Sequence, residues 1–430
     1  MIGKEIHDLC FRLYKINRSI TGDGVRQTLS ILKELMPDMS INEIPTGTPV
    51  FDWIIPKEWK VNDAYIISPS GKKICSFKDN NLHLVGYSTP IHTKLNLSQL
   101  QNNLYSVPSQ PTAIPYVTSY YKENWGFCLS QRQRDSLEEG EYEVFVDSKL
   151  FDGSLSYGEL FIKGQSDKEI FISTYICHPS MANNELSGPS VTAFIAKYLL
   201  NKINKRYSYR LVFVPETIGS IAYLSKNIKK LKKNVFAGFN VTCVGDNRDY
   251  SYLSSRDGNT ISDIVAKHVL KNIYPTFKTY KWTDRGSDER QYCAPGVDLP
   301  IASVMRTKYG MYKEYHTSLD DLVNVVTPEG LEGGYNLIKL IMETLENNRY
   351  PKVKVYCEPQ LGKRGLYPSI SNLSSKESQE EIILILNFIS YSDGKKSLIE
   401  IAELCEVPVW KLYTILEKLI QKDLIVVRDK

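Results

Sequence analysis

The sequence predicts an α/β protein, with a mostly parallel sheet sandwiched by helices, a small inserted β domain and a carboxy-terminal winged helix. Nearly all-apolar runs such as EIFISTYIC and YRLVFVP alternate with helical patterns over the middle of the chain, which is typical of a parallel sheet. Short alternating runs come before them, and helix, turn, helix, strand patterns follow. We therefore predict an α/β domain over residues 1–40 and 110–352, a β domain over 41–109 and a winged helix over 366–430.

The first hundred residues change once from helical patterns to short strand-like runs. Two helical patterns, from Gly3 to Leu35, are separated by the turn Ser19-Ile20-Thr21-Gly22. The runs AYIISPSG, KKICSF and LHLVGY follow, broken by Pro, Gly and Asn, and they predict a small antiparallel region. Three prolines between residues 106 and 115 indicate a linker that returns the chain to the main domain.

The middle of the chain supplies the main sheet. EYEVFVDS and SYGELFIKG flank the turn Phe151-Asp152-Gly153 and predict a hairpin. The apolar strands EIFISTYIC, YRLVFVP, VFAGFNVTCVG and LPIASVMR then alternate with helices such as SVTAFIAKYLLNKI. In sheets of this kind ligands bind beyond the carboxyl ends of the strands.

The winged-helix segment has an unfavourable charge for nucleic acid. Residues 366–430 contain 8 Lys and Arg against 10 Asp and Glu. A slightly acidic surface lacks the positive charge that phosphate contact requires. A packing or protein-docking module is therefore favoured over a DNA-binding one.

Composition describes an ordinary globular protein. Of 430 residues, 42% are hydrophobic and 24% charged, and the net charge of +4 points to neither nucleic acid nor an anionic membrane. The opening MIGKEIHDLCFRLYKINRS is interrupted by charge, unlike a signal peptide or a membrane span. Eight cysteines without a C-x-x-C pair, several within apolar runs, predict reduced thiols and a cytoplasmic location.

Three loops carry candidate metal ligands. His178 in ICHPSMANNELSG and His316 in EYHTSLDD lie in loops after apolar runs, and Glu216 follows the strand LVFVP. Imidazole and carboxylate are ligands that zinc accepts. Each residue also has an ordinary alternative, because a histidine after a strand is often a hydrogen-bonded structural residue and Glu216 would suit the start of a helix.

Two further segments can likewise be explained by a functional site or by an ordinary structural role. Thr317 or Ser318 would suit a helix cap. Asp288 and Glu289 in DRGSDERQY would suit a solvated charge cluster with nearby arginines. Only the order and spacing of all these segments favour a site.

That order resembles the co-catalytic zinc aminopeptidases, a group that also includes glutamate carboxypeptidases and glutaminyl cyclases. The resemblance matches Asn184 in NELSG to an aspartate that bridges two zinc ions, and Pro215-Glu216 to a Glu-Glu pair of general base and ligand. It matches Ser287-Asp288-Glu289 to Ser-Asp-His, and His316 to the terminal ligand in Tyr-His-Thr.

A closer resemblance covers essentially the whole chain. The segments ICHPSMAN, PETIGSIAYL, DRGSDERQYCAPGVDLP and YHTSLDDL look like those of bacterial aminopeptidase-like proteins that carry an inserted β domain and a carboxy-terminal winged helix. That group is often associated with polysaccharide biosynthesis.

Three departures from the resemblance affect the chemistry. Asn184 replaces the bridging aspartate, and Thr242 in VTCVG stands where another ligand aspartate is expected. Losing both charges favours one metal ion rather than two. Because Pro215 replaces the base, Glu216 serves either as ligand or as base, and Glu185 is at most an additional ligand.

The sequence thus predicts a zinc-dependent hydrolase that cleaves an amide bond next to a free amino group. Zinc would be held by residues His178, Asn184, Glu216 and His316, and Glu216 or Asp288 would move the proton. Arginines 285, 290 and 306 would neutralise a carboxylate or phosphate of the substrate.

The alternative is a catalytically impaired aminopeptidase-fold protein that binds a peptide, sugar derivative or protein partner. For partners, the sequence predicts a peptide or an amino-group-bearing small molecule. It predicts no membrane association, and it leaves open a protein partner or a homo-oligomer formed through the accessory domains.

Overall fold

The computed structural model describes residues 1–366 and 376–428. The chain divides into two compact units, residues 1–263 with 277–338, and residues 264–276 with 339–430. Within the described residues, no helix combines the length and apolar character needed to cross a membrane.

The helices are α1 Ile2–Tyr14, α2 Asp23–Lys33, α3 Leu97–Leu100, α4 Gln131–Asp135, α5 Ser187–Asn201, α6 Ile218–Asn234, α7 Ile261–Ile273, α8 Glu289–Tyr292, α9 Pro328–Asn347, α10 Lys376–Tyr391, α11 Leu398–Leu404 and α12 Trp410–Gln421. The strands are β1 Ser40–Pro45, β2 Pro49–Val50, β3 Trp53–Ile54, β4 Glu58–Ile67, β5 Lys73–Ile74, β6 Ile91–Asn96, β7 Leu104–Tyr105, β8 Phe127–Cys128, β9 Glu141–Phe151, β10 Ser154–Ile162, β11 Glu169–Tyr175, β12 Ser208–Val214, β13 Val235–Val241, β14 Ser251–Leu253, β15 Lys278–Tyr280, β16 Ile301–Met305, β17 Tyr350–Val353 and β18 Ile425–Arg428.

The main sheet of the first unit has eight strands in the order β1-β10-β12-β11-β13-β16-β14-β15. Its four central strands, β12, β11, β13 and β16, are parallel, while β1, β10 and β14 join antiparallel. Every residue of β11 and β12 is buried. Their apolar sequences predicted this burial, because both faces of such strands are covered.

Helices cover both faces of this sheet. The Phe171 ring of β11 packs 6.2 Å from the Tyr223 ring of α6. Thr174 points to the other face, because side chains alternate along a strand. There its Oγ1 lies so close to Gly188 of α5 that a Cβ on Gly188 would clash. The predicted α/β sandwich is therefore confirmed.

A second sheet, β5-β4-β9-β6, is antiparallel. The predicted hairpin around residues 151–153 is wrong, because β9 pairs with β4 and β6 whereas β10 pairs with β1 and β12. The turn's backbone N–H groups are taken by other side chains: Gly153 donates to Thr46 Oγ1 at 3.1 Å and Ser154 to Glu58 Oε2 at 3.0 Å. The small β sheet thus uses a strand beyond residue 109.

The run LHLVGY also differs from the expected strand. Its start forms a 3-10 turn, Asn81–His83, and the rest makes only isolated bridges at Leu84 and Gly86. Short apolar runs with a following glycine do not distinguish a strand from a buried loop.

The second unit carries the winged helix. Helices α10, α11 and α12 come before β18, which pairs antiparallel with β17. Ser397 and Glu400 form a capping box at the start of α11, which satisfies the first free N–H groups of that helix. Strand β17 lies before residue 366, so the fold begins earlier than predicted. Residues 367–375 and 429–430 of the predicted range lie outside the described residues.

Candidate active site

His178 and His316 lie next to each other, although 138 positions separate them in the sequence. His178 follows β11 and His316 lies in the loop after β16, and their ring centroids are 5.5 Å apart. The Tyr116 ring meets both imidazoles edge-on, at 5.0 and 5.4 Å. The two loops therefore converge at the carboxyl edge of the parallel strands.

The loop of His316 holds that residue in an uncommon state. Its backbone φ is +57°, a left-handed conformation that non-glycine residues rarely adopt. Tyr315 stacks on its ring at 3.9 Å. The Nε2 atom is buried and has no hydrogen-bond partner in the described part of the chain. Backbone strain and an unpartnered buried nitrogen are both typical of functional sites.

His178 has both ring nitrogens beside carboxylates. Nδ1 lies 3.0 Å from Glu185 Oε2, and Nε2 lies 3.6 Å from Glu216 Oε2. A carboxylate on Nδ1 fixes the tautomer with the proton on that nitrogen. The other ring nitrogen, Nε2, then faces Glu216.

Glu185 is itself held by a residue from the amino-terminal segment. Arg18 Nε lies 3.3 Å from Glu185 Oε1, and both side chains are fully buried. The same Nε donates to the His178 carbonyl oxygen at 2.9 Å, and Nη1 donates to the Leu13 carbonyl oxygen at 2.7 Å. Sequence reasoning missed Arg18, because nothing in the turn after α1 indicates a contact with residue 178.

The atoms of Cys177, His178 and Glu185 also lie within 4.8 Å of one another, as metal ligands would. Two observations argue against a metal there. Glu185 is engaged by the His178 ring and by Arg18. Burial raises the pKa of the Cys177 thiol to about 11, so that the thiolate form that binds metals is scarce at neutral pH.

The two histidines differ in their protonation. Burial, and after it the nearby His178, lower the pKa of His316 to about 3. Burial also lowers the pKa of His178, but Cys177 and Glu185 raise it more, so the net direction is upward. His316 is therefore a neutral imidazole with a free lone pair at neutral pH.

Glu216 lies at a strained turn between β12 and α6. Its neighbour Thr217 has φ +64°, and the Thr217 N–H donates to Asp288 Oδ1 at 2.7 Å. Ser220 also donates to that oxygen, at 2.8 Å. Asp288 thus fixes the turn that presents Glu216.

Asp288 and its neighbour Glu289 are both fully buried, so the alternative of a solvated charge cluster is wrong. Burial, followed by the negative charge of Glu216, raises the pKa of Asp288 to about 7. Burial raises the pKa of Glu216 as well, against the opposing charges of His178 and Arg290. Asp288 Oδ2 is buried with no hydrogen-bond partner in the described chain.

Asn184 and Thr242 lie in a neutral hydrogen-bond network with Tyr175. Asn184 Nδ2 donates to the Tyr175 hydroxyl at 2.7 Å, and that hydroxyl lies 2.6 Å from Thr242 Oγ1. Thr242 in turn donates to the Asn184 carbonyl oxygen at 3.1 Å. The two positions at which the resemblance implies carboxylates are thus linked by a tyrosine. Within this network, Asn184 Oδ1 is the buried side-chain atom that has no partner among the described residues.

The three candidate arginines occupy different surroundings. Arg290 Nη2 donates to the Thr217 hydroxyl at 2.6 Å, beside Glu216. Arg285 is exposed and lies over the Trp282 ring. Arg306 is buried over the Tyr250 ring and donates to Asn247. Of these three, the described contacts connect Arg290 to the candidate site.

The donor set is compatible with zinc. His316 Nε2 and Asn184 Oδ1 are buried atoms without partners in the part of the chain that the structure describes, and His178 Nε2 faces a carboxylate. Catalytic zinc commonly takes two histidines and one glutamate and keeps a further position open. Glu185 on the other nitrogen of His178 is the outer carboxylate that zinc-binding histidines usually have.

Residues 7–348 match a protein family described as a domain of unknown function, DUF4910. The chain belongs to this family. Residues 348–427 match a family described as winged helix-turn-helix, which confirms the winged-helix prediction.

A relative of this DUF4910 chain comes from Clostridium acetobutylicum and is 45% identical over 402 residues, covering 93% of this chain and 91% of its own. This relative is named as a candidate polysaccharide biosynthesis protein with an aminopeptidase-like domain. A crystal structure of a protein named as a candidate peptidase from Clostridium acetobutylicum is 41% identical, covers 99% of this chain and 97% of its own, and gives a TM-score of 0.93.

More distant structures share the fold. A zinc aminopeptidase from Bacillus subtilis gives a TM-score of 0.58 at 12% identity and covers 80% of this chain and 94% of its own. The predicted aminopeptidase-like fold is confirmed, and at that identity the likeness concerns the fold alone.

Proposed function

We propose that this protein is a zinc-dependent hydrolase that cleaves an amide bond next to a free amino group and uses one metal ion. The observation that carries the proposal is the pairing of His178 and His316, whose rings lie 5.5 Å apart. The Nε2 atom of His316 is buried and has no partner among the residues that the structure describes. Leaving a buried polar atom unpartnered costs about 1–3 kcal/mol, which a bound ligand offsets.

The proposed zinc ligands are His178 Nε2, His316 Nε2 and the Glu216 carboxylate, with Asn184 Oδ1 as a further oxygen donor. When bound, zinc polarises the substrate carbonyl and lowers the pKa of a water molecule to about 7. Glu185 holds the proton of His178 on Nδ1, so Nε2 is the nitrogen that would lose its proton and bind the metal.

Asp288 is the proposed proton acceptor. Because Glu216 is assigned to the metal, a second carboxylate must take the proton from water and pass it to the leaving amine. The free Oδ2 of Asp288 is suited to that task, while its Oδ1 holds the turn that carries Glu216. Asp288→Asn should therefore retain zinc and lose hydrolysis, whereas Glu216→Gln should lose zinc as well.

One ion rather than two follows from the network of Tyr175, Asn184 and Thr242. This network offers no negative charge and uses its hydroxyl and amide hydrogens internally. Two cations close together need bridging carboxylates to offset their repulsion.

The substrate is proposed to be a peptide or an amino-group-bearing small molecule. The name of the Clostridium relative makes an amino-sugar derivative one candidate. A cytoplasmic location is part of the proposal, supported by the six free cysteines that are buried.

Metal analysis of protein purified without chelators tests the proposal. We expect about one zinc per chain and hydrolysis of unblocked dipeptides that a chelator abolishes and zinc restores. Amino-terminally acetylated dipeptides serve as matched controls and should not be cleaved. Protein that carries no zinc and cleaves none of these substrates contradicts the proposal.

A second candidate function is binding without catalysis. It is favoured by Pro215 at the base position and by the neutral network at Asn184 and Thr242. Asn184→Asp separates the two functions. An inactive protein that gains zinc and activity from this change would be an impaired descendant of an enzyme.

A further inference from the structure

Arg290 is a half-buried arginine that uses little of its hydrogen-bonding capacity. Its Nη2 donates to the Thr217 hydroxyl at 2.6 Å, and its Nε is buried with no partner among the residues described. A guanidinium has five N–H donors in a planar fork. Burying such a group is unfavourable when its N–H donors lack acceptors, so a bound acceptor would stabilise it.

The fully buried arginines Arg18 and Arg210 pair with carboxylates, of Glu185 and Glu169 respectively. The buried Arg306 instead donates to Asn247. Within the described residues, Arg290 has no carboxylate oxygen within 4.0 Å of its guanidinium. Its charge is therefore not paired as those of Arg18 and Arg210 are, and unlike Arg306 it is connected to the candidate site through Thr217.

The guanidinium lies beside the proposed zinc ligand Glu216. The Thr217 hydroxyl, which accepts from Arg290 Nη2 at 2.6 Å, belongs to the residue that directly follows Glu216. Arg290 is half-buried, so part of its side chain is open to solvent. A group that reaches Arg290 from solvent would thus lie close to Glu216.

We propose that Arg290 binds an anionic group of the substrate, a carboxylate or a phosphate, and makes the site selective for acidic substrates. The proposal rests on the proposed hydrolase function and adds the charge of its substrate. Carboxylate and phosphate oxygens match the spacing of guanidinium N–H groups, and Nε is the donor that the protein leaves open.

The test compares matched substrates on the full-length zinc-loaded protein. The pairs are Ala-Glu with Ala-Gln and Glu-Ala with Gln-Ala, which place the carboxylate on either side of the scissile amide. Ala-phosphoserine with Ala-Ser distinguishes phosphate from carboxylate. The readout is the ratio of kcat/KM within each pair, which cancels any general loss of active protein.

We expect the wild type to prefer one acidic substrate by about 10- to 100-fold, the worth of one hydrogen bond to a charged group. Arg290→Gln should bring that ratio near one, and Arg290→Lys should keep part of it. Arg285→Gln, at the exposed arginine over Trp282, is the matched control and should keep the full ratio.

Calorimetric titration with glutarate and with inorganic phosphate makes the test independent of hydrolysis. Binding of one of them to the wild type, weakened about 10-fold or more in Arg290→Gln, supports the subsite even if no dipeptide is cleaved, and then only the hydrolase proposal fails. No anion preference in the wild type, or one that Arg290→Gln leaves unchanged in both assays, overturns the inference.

Discussion

The two sides of the candidate site differ in how far their buried polar atoms are hydrogen-bonded within the protein. On one side His178, His316 and Glu216 bring nitrogen and carboxylate groups together, and His316 Nε2 has no partner among the described residues. On the other side the side chains of Tyr175, Asn184 and Thr242 bond mainly within their own network, and Asn184 Oδ1 is the atom they leave open. The comparison separates a part of the site that supplies most of the proposed ligands from a part that satisfies most of its polar atoms itself.

The difference also concerns charge. The histidine side is surrounded by the buried ionisable groups of Glu185, Arg18 and Asp288. On the other side the side chains of the network are neutral, and the buried Asp320 carboxylate accepts the Asn184 backbone N–H at 2.9 Å. Buried charges are costly unless paired or used. An ion bound at this site should therefore depend mainly on the first side, while the second side contributes only the neutral Asn184 Oδ1.

The largest effect is expected from His316→Ala. Removing a proposed ligand should lower zinc affinity by more than about 100-fold, the upper limit for loss of an outer partner. Mass spectrometry of dialysed protein should show zinc falling from about one to near zero per chain. His92→Ala, at an exposed histidine beside Glu143, should keep its zinc. Equal zinc content in both variants would contradict the assignment.

A smaller effect is expected from Glu185→Gln. The amide carbonyl still accepts the His178 proton, but more weakly than a carboxylate, so zinc affinity should fall about 10- to 100-fold. Competition with a chromophoric chelator measures the change.

The same substitution leaves Arg18 as an unpaired buried charge, which should destabilise the protein by about 3–5 kcal/mol in urea unfolding. The double variant Arg18→Met with Glu185→Gln should recover much of that stability and still bind zinc weakly. Full zinc affinity in the double variant would mean that the pair serves folding alone.

Substitutions on the side of Tyr175 should change the stability of the protein and not its zinc content. Tyr175→Phe leaves the Asn184 amide and Thr242 without the shared hydroxyl, at a cost of about 1–3 kcal/mol. Zinc should stay at about one per chain. Tyr121→Phe, on an exposed ring, should change stability by less than about 0.5 kcal/mol. Loss of zinc in Tyr175→Phe would show that the two sides are not independent.

The smallest effect is expected outside the site, in the second unit. Burial lowers the pKa of His268, against the opposing effect of Glu403, and its Nε2 accepts the Val409 N–H at 3.0 Å. The unfolded chain therefore binds a proton at higher pH than the folded one. Stability of this unit should fall as pH drops below about 6.5.

Hydrogen exchange of the α11 and α12 amides between pH 7.5 and 5.5 measures this loss, after correction for intrinsic rates. His268→Gln should give a flatter profile, and the exposed His92→Gln should leave it unchanged. Protection that does not depend on pH in the wild type would argue against a neutral buried His268.

The sequence alone indicated the positions of the candidate residues that directly follow buried strands. His178 and Glu216 follow β11 and β12, and the carboxyl ends of parallel strands share one edge. The central sheet was predictable for the same reason, since only strands covered on both faces are apolar throughout.

Contacts between distant segments were not predictable. Arg18 and Glu185 are 167 positions apart, and Glu185 was considered only as an additional ligand. Tyr175 belongs to an apolar strand, and its hydroxyl has a role only because Asn184 and Thr242 meet it. The turn at residues 151–153 gave a local hairpin signal, and long-range strand pairing overrode it.

The reach of Arg18 into the histidine loop has a consequence for biosynthesis. Arg18 lies almost three hundred residues before His316 in the chain, and the proposed zinc site depends on both residues. A polypeptide that ends before His316 therefore lacks part of this proposed site. Proteolytic removal of residues 1–18 would take away the buried partner of Glu185 and should impair the proposed site without removing any of its proposed zinc ligands.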